Sequence, residues 1–240
     1  MIDLNQKWLV IAFITAAILY FTYPNWLVRQ QPTQAQAWGS QENQPYMTIV
    51  GQKPTDTKVS AQVYYFGRGE SCSGWSWSAS SGEVIDGNLH QTFQIEHNFS
   101  TDPNRYELRV PYQTQEPEKD CLTHLSRMEV TAKNNFDTVG FATLRIHKAG
   151  DNYYNKPISL NSKIEAKNCE PYYSEEYKRW TNGFGCYYYI DKKKKSKDQE
   201  FNAETVYFDF SQFNDNTVIN YDIIAGKDYR TEPLDPKTGK

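Results

Sequence analysis

Residues 8–23 read WLVIAFITAAILYFTY and carry no charge. A stretch of this kind either enters a bilayer or is removed during export, so it fixes the compartment of everything after it. As a helix it spans about 24 Å, short of the roughly 30 Å hydrocarbon core. Extension through Trp26, Leu27 and Val28 gives 21 residues and about 31 Å, and takes in Pro24 and Asn25. Trp8, Tyr20, Tyr23 and Trp26 fall near its two ends, as interfacial aromatics do. The expectation is a signal anchor over residues 1–28. The alternative is cleavage at Ala35-Gln36-Ala37, a small-x-small site 14 residues beyond Tyr23. A nearer site, Thr15-Ala16-Ala17, would leave the apolar residues 18–21 exposed. Lys7 on one side and Arg29 on the other do not orient the segment. No cysteine closely follows the run, so no lipoprotein attachment site is seen.

Four cysteines stand further on: Cys72, Cys121, Cys169 and Cys186. An even number downstream of an export signal implies disulfides in an oxidising compartment. Of three possible connectivities, the one joining chain neighbours, Cys72–Cys121 and Cys169–Cys186, is expected. The chain-entropy model assigns the two bridges about 4 and about 3 kcal/mol. A zinc site is the weaker reading, since no pair has CxxC spacing and no His has partner spacing. No metal or cofactor is expected.

Residues 29–57 are rich in Gln, with Pro32, Pro45 and Pro54, and read as a linker holding a domain off the membrane. From residue 58 to 226 the apolar period is two. Val59, Ala61, Val63 and Tyr65 alternate with polar residues, as do Tyr106, Leu108, Val110 and Tyr112, then Ala142, Leu144 and Ile146, and later Ile219, Tyr221 and Ile223. Asp86-Gly87-Asn88, Asp102-Pro103-Asn104, Asn134-Asn135 and Asn182-Gly183 supply turns between them. The expected fold is all-β, an antiparallel sandwich or barrel-like domain. One short helix is expected at residues 172–180, where Tyr173, Tyr177 and Trp180 would share a face. Residues 227–240 read as a flexible tail.

Catalytic motifs are absent from the sequence. His90 and His97, seven apart, fall on opposite faces of a regular strand. His124 and His147 stand alone. Ser71 and Ser73 sit among glycines but do not satisfy G-x-S-x-G, and no helix pattern follows them. Carboxylate pairs such as Asp102/Glu107 and Asp209/Asp222 are of a kind any acidic β protein offers. A hydrolase would need a site converging from distant strands. A net charge of -3 gives no global case for nucleic-acid binding.

Three stretches are candidate partner-binding sites. Trp75 and Trp77 alternate with serines, and read as an exposed aromatic pair or as a half-buried strand. Lys192, Lys193, Lys194 and Lys195 read as a hairpin tip, serving an acidic partner, anionic headgroups or envelope polymer, or simply solvated. The Cys169–Cys186 segment holds Tyr172, Tyr173, Tyr177, Arg179 and Trp180, the composition of an interface centre, or of a flap over the core. Aromatics make up 15% of the chain, which favours strands and binding surfaces over a helical or disordered body. The function expected is non-enzymatic. It is that of an exported binding protein, tethered by residues 8–28 to a bacterial inner membrane with its β domain in the periplasm, whose partner is another protein. Within that class an immunity protein against a periplasm-acting toxin is expected. An envelope assembly or secretion accessory protein, and a carbohydrate-binding module using the Trp pair, are the alternatives.

Overall fold

A computed structural model describes residues 37–40, 44–78, 83–116, 120–138, 140–150, 155–195, 202–230, 235, 237 and 238. The membrane segment expected at residues 8–28, and the cleavage site bar Ala37, lie outside the described residues. The chain divides into residues 1–35 and residues 36–240, and the second unit is the one described.

The alternation of apolar and polar residues becomes fourteen strands among the described residues, with no helix of seven residues or more. Sheet A contains β1 (Met47–Gln52), β6 (Arg105–Val110), β10 (Lys163–Ser174), β11 (Arg179–Ile190), β12 (Lys193–Lys194) and β14 (Val218–Ile224), in the order β12-β11-β10-β14-β1-β6. Sheet B contains β2 (Lys58–Gly67), β5 (His90–Ile95), β8 (Cys121–Lys133), β9 (Ala142–Lys148) and β13 (Ala203–Phe208), in the order β13-β9-β8-β2-β5. β7 (Gln113–Glu116) is added beside β8. A separate two-stranded sheet pairs β3 (Ser73–Ser78) with β4 (Glu83–Asn88).

Period two puts one face of each large sheet into a shared hydrophobic cluster. Met47, Ile49, Leu108, Ile164, Tyr188, Ile219 and Tyr221 come from sheet A; Ala61, Val63, Tyr65, Met128, Val130, Leu144 and Ile146 come from sheet B. Three of the buried tyrosines, Tyr65, Tyr106 and Tyr188, have bonded hydroxyls, whereas that of Tyr221 has no hydrogen-bond partner among the described residues. Tyr65 donates to Pro111 O, and Tyr106 to Tyr221 O at 2.6 Å. Tyr188 donates to Asn202 O at 2.6 Å and accepts from Thr143 N at 2.7 Å, tying β11 to sheet B.

Both sheets are mixed rather than purely antiparallel. β14 runs parallel to β1 and to β10, and β13 runs parallel to β9. Residues 170 positions apart, Val50 and Asn220, become neighbours in this way. β1 also revises the linker. Met47 and Ile49 are fully buried and β1 is an interior strand of sheet A, because its own alternation outweighs the Gln and Pro around it. Upstream, the Arg109 guanidinium donates to Gly39 O and lies 3.9 Å from the Phe99 ring centroid, so ordered packing reaches back at least to Gly39. Residues expected in the tail are packed on the domain as far as Tyr229. Tyr229 packs edge-on against Phe141 and Phe184, and its hydroxyl bonds with Thr57, Asn134 and Asp56.

Residues 172–180 form no helix. They are the end of β10, a turn at residues 175–178 and the start of β11. Tyr173 pairs with Trp180 and Ser174 with Arg179 across the hairpin, and Lys178 takes the left-handed conformation at φ 49°. The apolar spacing that suggests a helix face is also the spacing of a cross-strand pair on either side of a four-residue turn.

The disulfides are Cys72–Cys121 and Cys169–Cys186. Each lies at the foot of a hairpin. Cys72 ends a 3-10 turn (Glu70–Cys72) just before β3, and Leu89 N, just after β4, donates to Cys72 O. Cys169 and Cys186 join β10 to β11.

Candidate functional site

The β10–β11 hairpin outgrows its sheet. β14 pairs with β10 as far as Lys167 opposite Ile224, and Cys169 N donates to Ala225 O. Residues 170–174 then continue with β11 alone among the described strands, a reach of about 16 Å. Because β10, β14 and β1 are parallel, this arm leaves sheet A from the end at which β1 finishes. The chain enters β1 from the other end.

The foot of the arm is fixed and its tip is exposed. Phe184 is fully buried, 4.7 Å from Phe141 and 5.9 Å from Phe136. The disulfide crosses the hairpin beside it. At the tip Tyr177 is 64% exposed and Tyr173 41% exposed. Tyr173 meets Trp180 edge-to-face at 5.8 Å, and the Arg179 guanidinium lies 5.8 Å from the Tyr177 ring. Lys178 and Glu175 pair at 2.7 Å and are both strongly exposed, so that pair contributes little to stability. Ser174 is buried, and its hydroxyl accepts from Tyr177 N, which ties the turn back on itself.

A cleft of about 520 Å³ lies where this arm joins the sheet. Its walls include Lys53 after β1, Asp102 and Arg105 at the start of β6, Ala225 and Gly226 after β14, and Tyr229. Gly226 has φ 83° and sits against Asn168 of β10, where a Cβ would come within 3.1 Å of the Asn168 Cα. The Lys53 ammonium donates to Pro103 O at 2.7 Å. Burial lowers its pKa, against the opposing pull of Asp56 and Asp102. Burial likewise raises the Tyr229 hydroxyl to about 12.

The structure brings Tyr173, Tyr177, Arg179 and Trp180 together. It does not bring the lysines to them. Lys192, Lys193, Lys194 and Lys195 follow the far end of β11, about 36 Å along the strand from Arg179. Asp191 and Lys192, at φ 48° and 68°, make the two-residue turn between β11 and β12. The Asp191 carboxylate accepts from Lys163 N and the Ser162 hydroxyl, and these bonds lower its pKa. Lys194 Nζ lies 3.4 Å from the Tyr187 ring centroid, so this lysine covers an aromatic rather than reaching outward. Trp75 stands opposite Asp86 and Trp77 opposite Val84 on the β3–β4 hairpin, and the side chains of Trp75, Trp77 and Tyr172 lie outside the described residues.

The titratable groups are in separate structural roles. Asp102 accepts from Asn104 N, Glu107 pairs with Arg109 at 2.9 Å, Asp209 accepts from Ser211 N, and Asp222 pairs with Lys163 at 2.9 Å. His90 packs on Phe66, His97 on Phe99 and His147 on Tyr207. The stretch around Ser71 and Ser73 is a 3-10 turn leading into a strand, not the strand-to-helix turn of a nucleophile elbow. Among the described residues no group of three His, Cys, Asp or Glu is placed to hold a metal ion. The arrangement supports recognition by aromatic and guanidinium contact.

No protein-family model matches the chain, and no curated protein or solved structure is significantly similar to it. The sequence missed the cleft. Lys53 came from the expected linker, Asp102 from a turn and Tyr229 from the expected tail. Only the pairing of β1 with β6 on one side and β14 on the other puts them side by side.

Proposed function

We propose that the chain is a non-enzymatic binding protein, exported and held at a bacterial inner membrane by residues 8–28, with a β-sandwich in the periplasm. Within that class we read it as an immunity protein that neutralises a toxin acting in the periplasm. The arm carries this reading. A disulfide and a buried Phe184 fix its foot, while Tyr173, Tyr177, Arg179 and Trp180 are presented at its tip. Tyr, Trp and Arg are the residues that most often dominate binding energy, and a preformed hairpin spends little entropy on docking. The arm leaves the sheet opposite the end where the chain enters β1, clear of the paired strands of sheet A.

The test is protection. Cells making the chain should survive periplasmic delivery of the toxin encoded beside its gene. Cells making Y177A/W180A at equal abundance should die. Equal survival would remove the arm from the account, and death of cells making the unaltered chain would remove the immunity reading.

A further inference from the structure

The outward face of sheet B is basic, although the chain as a whole carries -3. The register lines its side chains in rows. One row runs Thr92, Tyr64, Arg127, His147 and Tyr207 across β5, β2, β8, β9 and β13. The next toward the β2 C-terminus holds His90, Phe66 and His124. On the other side Gln94, Gln62, Glu129, Arg145 and Thr205 form a third. Lys58 and Lys133 pair at the end of β2 and β8.

Four basic residues of these strands therefore face outward, Lys58, Arg127, Lys133 and Arg145, against one carboxylate, Glu129. Arg68 extends the face over the Phe66 ring at 5.3 Å, and Arg127 lies over Tyr64 at 4.1 Å. Among the described residues no ion pair engages Arg127 or Arg145. The field is felt locally. Besides burial, Arg127 and Arg145 lower the His147 pKa, opposed by Glu129.

Sheet A treats its outward charges differently. There Lys163 bridges Glu165 and Asp222, and Lys167 pairs with Glu165, so the two lysines of β10 beside β14 are held in ion pairs within the fold. On sheet B, Arg127 and Arg145 are in no such pair among the described residues, and the carboxylate set among them is Glu129, opposite Arg145.

We propose that this face docks on anionic phospholipid headgroups of the bilayer to which the chain is tethered. A broad sheet face that interleaves guanidinium groups with Tyr64, Phe66 and Tyr207 suits a planar, negatively charged surface lined by phosphates. This inference rests on the proposed membrane tether, which places headgroups at high local concentration.

The experiment uses the full chain carried in neutral phosphatidylcholine nanodiscs, mixed with separate vesicles and followed by co-flotation. Vesicles containing phosphatidylglycerol should carry the protein up, and pure phosphatidylcholine vesicles should not. Raising salt from about 0.1 M to about 1 M shortens the screening length from about 10 Å to about 3 Å and should release it. R127Q/R145Q should bind roughly thirty-fold more weakly, at about 1 kcal/mol per basic residue, while R127K/R145K retains binding. Replacing Lys192, Lys193, Lys194 and Lys195 by Gln should leave flotation intact. Flotation independent of phosphatidylglycerol, or lost with those four lysines instead, overturns the proposal. So does displacement by inorganic phosphate at matched ionic strength, which would mark a free-phosphate site. Alkaline carbonate extraction of cell membranes tests the tether separately, so the two failures are distinguishable.

Discussion

At the scale of single residues, the tip of the arm and the packed interior make opposite demands on the same amino acids. Tyr106, Tyr188 and Tyr221 are buried, and burial drives their hydroxyl pKa values up. Tyr173 and Tyr177 are exposed. Glu204, about half-buried on β13, is a third case. Desolvation raises its pKa above the ordinary carboxylate value, partly offset by the Thr205 N–H and Lys195. An acid whose pKa is higher folded than unfolded favours the fold below its unfolded value, near 4.3. That contribution is lost as pH rises through the folded value. E204Q should therefore melt higher than the parent at pH 7, by the equivalent of about 1 kcal/mol or less, with a smaller gap at pH 4. Thermal melts at the two pH values check it. The aromatic tip was legible in the sequence because two cysteines bracket Tyr172, Tyr173, Tyr177, Arg179 and Trp180 in a short span. The basic face was not. Arg127 and Arg145 are adjacent only through the pairing of β8 with β9, and an irregularity between Tyr64 and Tyr65 shifts the β2–β8 register beside them.

At the scale of elements, local pattern predicted strands well and their neighbours poorly. Period-two alternation identifies β2, β6, β9 and β14 directly. It cannot say that β1 will lie between β14 and β6, since that depends on contacts across most of the chain. Gly51 shows how close that contact is. A Cβ there would fall 1.8 Å from the Tyr221 carbonyl oxygen, backbone that cannot swing aside. G51A should destabilise the domain by about 3 kcal/mol or prevent folding, read by urea unfolding of the soluble fraction. The misassigned helix at residues 172–180 has a similar origin. Its residues satisfy helical spacing, but the bond between Cys169 and Cys186 and the pairing of Tyr173 with Trp180 require two strands. Removing that bond with C169A/C186A should cost about 3 kcal/mol. Hydrogen exchange should accelerate first in the arm, while amides of β1 and β8 stay protected.

At the scale of the whole molecule, three surfaces stand out. The arm presents aromatic and guanidinium groups, the cleft near its foot joins three distant segments, and the outer face of sheet B carries more basic than acidic side chains. Two disulfides brace the feet of the β3–β4 and β10–β11 hairpins, and such bonds persist in oxidising compartments. The pairing of the four cysteines was legible from their order along the chain. The binding surfaces needed the strand register. The central claim is that the arm captures a protein, and calorimetric titration tests it most directly. The full chain, in neutral detergent, would be titrated with the secreted effector encoded beside its gene. The account predicts saturable binding at one-to-one stoichiometry, weakened at least about thirty-fold by W180A, the loss of a contact worth about 2 kcal/mol. Absence of binding, or full affinity in the arm variant, would contradict it.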